Sequence, residues 1–284
     1  MIRPIALAGA HMECRRLKET IPVLTDLLAF EEVHGGSGSV TLEHPNTEWS
    51  LTVHEAGPAA PAKKMQNHYG VRVMTKREVD AAYDYLTARK DEYGLREIGR
   101  PAFSHGSYSL YFLEPGTNGW EIECYEDALR KETGGIWVGG VRTPHWDAVL
   151  PPERFPGRGY VPQAFTHGTL ASADITVSGR FYAEVLGLEV IRARHQVVYI
   201  KHPETKSYIV SVVRAEPPTG YSPNFRFSLE MESPAALAGA HRWLKSSGEA
   251  LGVTELGEIQ NDGKVSSVLL RDPDRNCWEL FAAA

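Results

Sequence analysis

Two stretches of this 284-residue chain repeat each other at a fixed offset of 158 residues. Glu114-Pro115-Gly116-Thr117-Asn118-Gly119-Trp120-Glu121-Ile122 is answered by Asp272-Pro273-Asp274-Arg275-Asn276-Cys277-Trp278-Glu279-Leu280. The same offset pairs His44-Pro45 with His202-Pro203, Leu28 with Leu186, Leu86 with Leu244, and Glu97 and Gly99 with Glu255 and Gly257. It holds without gaps from about residue 28 to residue 126, so the chain reads as a duplicated domain and must fold as two copies of one unit. The expected halves are 1–127 and 162–284, with a connector, 128–161, rich in Gly, Pro and aromatic residues.

Each half divides again. Residues 17–28 place Leu17, Ile21, Leu24 and Leu28 on one helical face, and their counterpart uses Ile175, Ser178, Phe181, Tyr182 and Leu186. Residues 76–89 align Val79, Ala82, Tyr83 and Leu86, answered by Leu237, Ala240 and Leu244. A strand-like run precedes each helix: Ile5–Met12, His68–Met74, Phe165–Leu170 and Phe225–Met231. Further runs follow, among them Val40–Leu42, Leu51–Val53, Ser107–Leu113, Val197–Ile200, Tyr208–Val213 and Val265–Leu270. The expected fold is α+β, with four βαβββ modules forming curved mixed sheets that enclose half-barrel clefts.

Composition narrows the class of function. Thirty basic side chains against 36 acidic ones give a net charge of −6 and a pI near 6.0, without the basic face that nucleic acid requires. No apolar stretch is long enough to span a membrane, and no signal segment is evident. Three cysteines, Cys14, Cys124 and Cys277, have no metal-finger spacing and suit a reducing compartment. These features predict a soluble, cytoplasmic, mildly acidic globular protein of about two domains.

The run Phe181-Tyr182-Ala183-Glu184-Val185-Leu186-Gly187-Leu188-Glu189-Val190, with His167 on the preceding strand, resembles the opening module of vicinal oxygen chelate proteins. The tail from Asp272 to Leu280 resembles that superfamily's closing strand. The resemblance covers almost the whole chain outside the connector. Its members include extradiol dioxygenases, glyoxalase I, epimerases and resistance proteins, and the four-module length is most similar to a two-domain extradiol dioxygenase.

In that superfamily metal ligands sit on the first strand of a module and the last strand of its partner. The resemblance therefore implies His68, Glu121 and His167 as metal ligands. The repeat supplies an internal control, because at offset 158 His68 faces Arg226, His167 faces Gly9, and Glu121 alone has a matching carboxylate, Glu279. Pairing the second module with the third assembles two imidazoles and a carboxylate, while the first and fourth give a degenerate pocket of Gly9, Arg226 and Glu279. The alternative pairing, of the first module with the second, would complete the set with His11 instead. Two histidines and one carboxylate on one face of an ion leave the other face open, the signature of a non-haem Fe(II) oxygenase. Mn, Zn or Ni would also suit these donors.

Tyr111, ten residues before Glu121, faces Leu269 in the repeat and corresponds to a tyrosine that contacts the substrate's phenolic oxygen in extradiol enzymes. His105, opposite Gly263, is the candidate for the upstream acid-base histidine, and His54 a weaker one. The connector holds Trp137, Arg142, His145, Trp146, Arg154, Phe155 and Tyr160, and is expected to pack rather than swing free. It would cap a substrate or form a subunit contact. The implied activity is ring cleavage of a small catechol-like aromatic with O₂ and Fe(II), in a homo-oligomer. The alternatives are a glyoxalase-type metal lyase or isomerase, and a non-catalytic aromatic-ligand-binding protein of the same fold.

Overall fold

A computed structural model describes residues 1–59, 67–104, 106–125, 135–138, 141–194, 196–214 and 222–284. The first module comprises β1 (Ala6–Cys14), α1 (Leu17–Pro22, continued by a π-helical turn over Val23–Leu27), β2 (Glu31–Gly36), β3 (Ser39–Glu43) and β4 (Ser50–Glu55). The second comprises β5 (His68–Arg72), α2 (Lys76–Ala88), β6 (Ala102–Ser104), β7 (Ser107–Leu113) and β8 (Gly119–Cys124). The connector carries a hairpin of β9 (Gly135–Val138) and β10 (Val141–Pro144). The third module follows as β11 (Ala164–Ser172), α3 (Ile175–Glu184), β12 (Glu189–Arg194), β13 (Val197–Lys201) and β14 (Tyr208–Val213). The fourth is β15 (Arg226–Glu230), α4 (Pro234–Ser247), β16 (Glu255–Leu256), β17 (Gln260–Asn261), β18 (Val265–Arg271) and β19 (Cys277–Ala283). The fold is α+β with four βαβββ modules.

Local sequence explains the helix boundaries. Thr75 caps α2, its hydroxyl oxygen accepting from the Glu78 amide while the Glu78 carboxylate accepts from the Thr75 amide, a Thr-x-x-Glu capping box. Asp174 caps α3, and Ser233 with Pro234 starts α4. The buried faces are Val79, Ala82 and Leu86 on α2, and Ile175, Ser178, Phe181 and Tyr182 on α3. On α4 His241 joins Leu237 and Leu244, its Nε2 donating to the Gly257 carbonyl at 2.9 Å. Among the described residues no helix is long and apolar enough to cross a membrane.

The chain forms two compact units, Met12–Thr169 and Met1–His11 with Leu170–Ala284. Their borders fall inside β1 and β11, so they cut the chain differently from the sequence repeat. In the first unit the strand order β11-β5-β8-β7-β6 includes the start of β11, paired antiparallel to β5, while β5 and β8 are parallel. Tyr69, Trp120 and Phe165 are buried and build its core, with ring centroids 5.5–6.3 Å apart. The second unit has the matching order β16-β18-β19-β15-β1, with β1 antiparallel to β15 and β15 parallel to β19. Here Trp278 packs on Tyr182 and Phe227.

The connector packs within the Met12–Thr169 unit. Leu150, Phe155 and Val161 cluster with Ala29, Trp146 is fully buried, and Tyr160 donates to the Leu27 carbonyl at 3.1 Å. His145 lies 3.2 Å from Asp147, and the side chains of Trp137 and Arg142 lie outside those described.

The sequence repeat is reproduced bond for bond in the turns before the last strands. Thr117 and Arg275 both take positive φ, 77° and 63°. Asn118 Nδ2 donates to the Glu13 carbonyl at 2.9 Å and to Glu114 Oε1 at 2.6 Å. Asn276 Nδ2 donates to the Ala171 carbonyl at 3.0 Å and to Asp272 Oδ2 at 2.9 Å. Each asparagine ties the turn to a first strand, which is why it recurs. Replacing either by Ala removes a donor from a buried carbonyl and one of several donors from a buried carboxylate. Asn118→Ala and Asn276→Ala are each expected to lower stability by about 2 kcal/mol in urea unfolding, against near-zero cost for exposed Asn261→Ala.

Candidate metal centre

The candidate site grows from one cross-strand row of the Met12–Thr169 unit. Tyr111 on β7 stands opposite Glu121 on β8, Glu121 beside Gly70 on β5, and Gly70 opposite His167 on β11. Neighbouring strands lie about 4.8 Å apart, so His167 and Glu121 are separated by the width of a strand. The His167 ring crosses that gap over Gly70: a Cβ there would lie 2.0 Å from the ring's Cε1. His68, two residues before Gly70 and on the same face of β5, completes the group.

His68 Nε2 lies 3.1 Å and His167 Nε2 3.3 Å from Glu121 Oε2, and the two imidazole nitrogens are 3.4 Å apart. Three donors about 2.1 Å from one ion, at angles of about 90–110°, stand about 3.0–3.4 Å from one another. The observed triangle fits a single divalent ion, and its donors, two imidazoles and one carboxylate, suit a facial site. Glu121 Oε1 is turned away and accepts from the Tyr111 hydroxyl at 2.8 Å.

A second set of buried side chains orients His167. Thr166 Oγ1 lies 3.0 Å from His167 Nδ1 and 2.9 Å from Glu123 Oε1. The Glu123 carboxylate can only accept, so the threonine hydroxyl donates to it and accepts from Nδ1–H, leaving Nε2 aimed at Glu121. Arg72 neutralises Glu123 through Nη2 at 2.7 Å, both side chains being 1% exposed. Its guanidinium also lies over the rings of Tyr125 and Trp146, at 4.4 and 5.2 Å.

The electrostatics follow from these contacts. Burial pushes the Glu121 carboxyl up, but hydrogen bonds and charge from His167 and His68 outweigh it and hold the group well below the usual carboxylate range. Burial lowers His167, yet Glu123 and Glu121 outweigh that and raise it to about 9. For Tyr111 burial and the neighbouring Glu121 charge both act upward, keeping it a phenol.

Of the residues singled out from sequence, His68, Glu121, His167 and Tyr111 converge. His11 does not join them; it belongs to the other compact unit, where its Nε2 lies 3.3 Å from Glu279 Oε2. There Arg226 Nη2 is 3.1 Å from Glu279 Oε1 and Ser228 Oγ donates to Oε2 at 2.7 Å. His54 lies on β4, paired with Ser39 of β3, and neither strand carries a converging residue; His105 lies outside the described residues. Sequence reasoning missed Gly70, Thr166, Glu123 and Arg72. The repeat held a signal for them, since offset 158 sets them against Ser228, Ala8, Phe281 and Glu230.

Residues 164–280 match the Glyoxalase/Bleomycin resistance protein/Dioxygenase superfamily. Over nearly the whole chain the fold is similar to that of a Bacillus subtilis protein provisionally described as a dioxygenase. That likeness has 11% identity and a TM-score of 0.65, and covers 99% of this chain and 86% of that one. Glyoxalase I from Zea mays is similar at 14% identity and a TM-score of 0.63, covering 98% of this chain and 92% of that one. At such identities the likeness speaks for the fold. No curated protein matches the sequence at a significant level. Residues 164–280 carry the match to that superfamily, and the chain as a whole shares the fold of these structures.

Two measurements probe the site. Gly70→Ala should weaken binding of a divalent ion by at least about 10-fold in a competition titration, because the methyl group displaces the His167 ring. Binding also needs His167 neutral, and the metal-free protein holds a proton there up to about pH 9. Affinity should therefore rise with pH by up to about 10-fold per unit and level off above about pH 9. Glu123→Gln removes a charge that raises His167, so the plateau should begin at lower pH.

Proposed function

We propose that the protein is a metal-dependent extradiol-type dioxygenase that cleaves a catechol-like aromatic with O₂, using Fe(II). One observation carries the reading: two imidazoles and one carboxylate converge on a point, and among the described residues no fourth His, Cys, Asp or Glu joins them. Three ligands on one face leave room for a bidentate substrate and O₂. A glyoxalase-type site is expected to add a fourth protein ligand. Fe(II) held here supplies a Lewis-acidic, redox-active centre for the two reactants.

The chain's own groups prepare that centre. Tyr111 fixes Glu121 by donating to Oε1, so that Oε2 faces the two histidines. Its hydroxyl stands beside the triad, its ring 5.1 Å from that of His68, where its oxygen can accept from a phenolic hydroxyl of an incoming catechol. Burial keeps its proton in place through the neutral range. Glu123, Thr166 and Arg72 hold His167 in one orientation, so the ligand set is preorganised.

The test is iron content of anaerobically purified protein, followed by O₂ uptake with a panel of catechols. The expected result is one Fe(II) per chain and substrate-dependent O₂ consumption. Tyr111→Phe should lower kcat by about 10- to 100-fold with iron retained, and His68→Ala should abolish both iron and turnover. An iron-loaded protein that consumes no O₂ overturns the reading. Activity of a Zn²⁺ or Ni²⁺ form without O₂ would instead identify a lyase, and ligand affinity surviving in His68→Ala a binding protein.

A further inference from the structure

The second compact unit repeats the strand frame of the triad in full register. Parallel pairing sets His68 beside Gly119 and Gly70 beside Glu121. Shifted by 158, it sets Arg226 beside Cys277 and Ser228 beside Glu279. Antiparallel pairing of β1 with β15 then brings His11 directly opposite Arg226. His11 comes from a position two residues beyond Gly9, the counterpart of His167, yet its Nε2 stands 3.3 Å from Glu279 Oε2, as His167 Nε2 stands from Glu121 Oε2. An imidazole and a carboxylate of a facial set are therefore both present. The remaining position, that of His68, holds Arg226. Arg226 and Glu279 line a cleft of about 450 Å³ that also includes Leu269 and Cys277, so the carboxylate is open to solutes.

From this geometry we infer that the second cleft is a latent metal site, closed by Arg226 as a built-in cation. The guanidinium lies against Glu279 and carries a permanent charge that no proton loss removes at ordinary pH. It neutralises the buried carboxylate and repels a divalent ion approaching the same oxygens. One residue thus limits the chain to one metal ion, and a histidine at that strand position would supply the missing imidazole. The inference takes from the first cleft only its ligand geometry.

Zn²⁺ is the probe, read by native mass spectrometry and competition titration on the full chain at micromolar metal. Wild type should bind one ion and His68→Ala none. The His68→Ala/Arg226→His variant should regain one, and adding His11→Ala or Glu279→Gln should remove it. A folded His68→Ala/Arg226→His chain that binds no Zn²⁺ overturns the inference. So does an ion retained by His68→Ala and lost on adding Glu279→Gln, an arm that does not depend on the arginine substitution folding. If wild type binds no ion but the Arg226→His chain does, the proposed dioxygenase fails while this inference stands.

Discussion

The site depends on an empty place in a β-ladder. Tyr111, Glu121, Gly70 and His167 occupy one row across four strands, and Gly70 is the member without a side chain. A strand lies between His167 and Glu121, so their side chains can approach only across the space a Cβ at residue 70 would fill. The pleat places His68 on the same face two residues away. Once the row is set, convergence of the three donor atoms follows from backbone geometry, and Tyr111 needs only its opposite position to reach Glu121. Stable strands thus locate the chemistry, with no mobile loop required to assemble the three donors.

The same row creates an electrostatic problem, because Glu121 and Glu123 are adjacent buried carboxylates on one strand face. Buried charge is tolerated only where it is paired. Glu123 takes the guanidinium of Arg72, a permanent partner enclosed by Tyr125 and Trp146. Glu121 takes two imidazoles, partners that can release protons and offer lone pairs. The second unit answers with Arg226 against Glu279, whose carboxyl burial pushes up but His11 and Arg226 bring down to about 2. A permanent cation secures a carboxylate and ends its role as a ligand, whereas imidazoles secure it and leave it able to share an ion.

Much of this was legible in the chain. The helix faces of Val79, Ala82 and Leu86 and of Ile175, Phe181 and Tyr182 followed from periodicity, since packing a helix on a sheet imposes that spacing. His68, Glu121 and His167 stood out because the other repeat lacks both histidines. Gly70 did not, because a glycine in a strand has many uses and its purpose appears only when a ring is seen crossing it. Thr166, Glu123 and Arg72 were hidden for a related reason: Thr166 and Glu123 touch His167 and Arg72 touches Glu123, so each supports a candidate ligand instead of being one. The connector's aromatic residues signalled packing, but not that Trp146 would cover Arg72.

By itself the sequence determined the duplication, the four modules and the candidate donor residues, because these are written in an offset, a periodicity and residue types. The tertiary structure decided which first strand lies beside β5. That choice brings His167 to His68 and Glu121 and sends His11 to Glu279. It pairs residues about a hundred positions apart, and local periodicity, which records only which face of a strand is apolar, carries no information on which distant edge that strand will join.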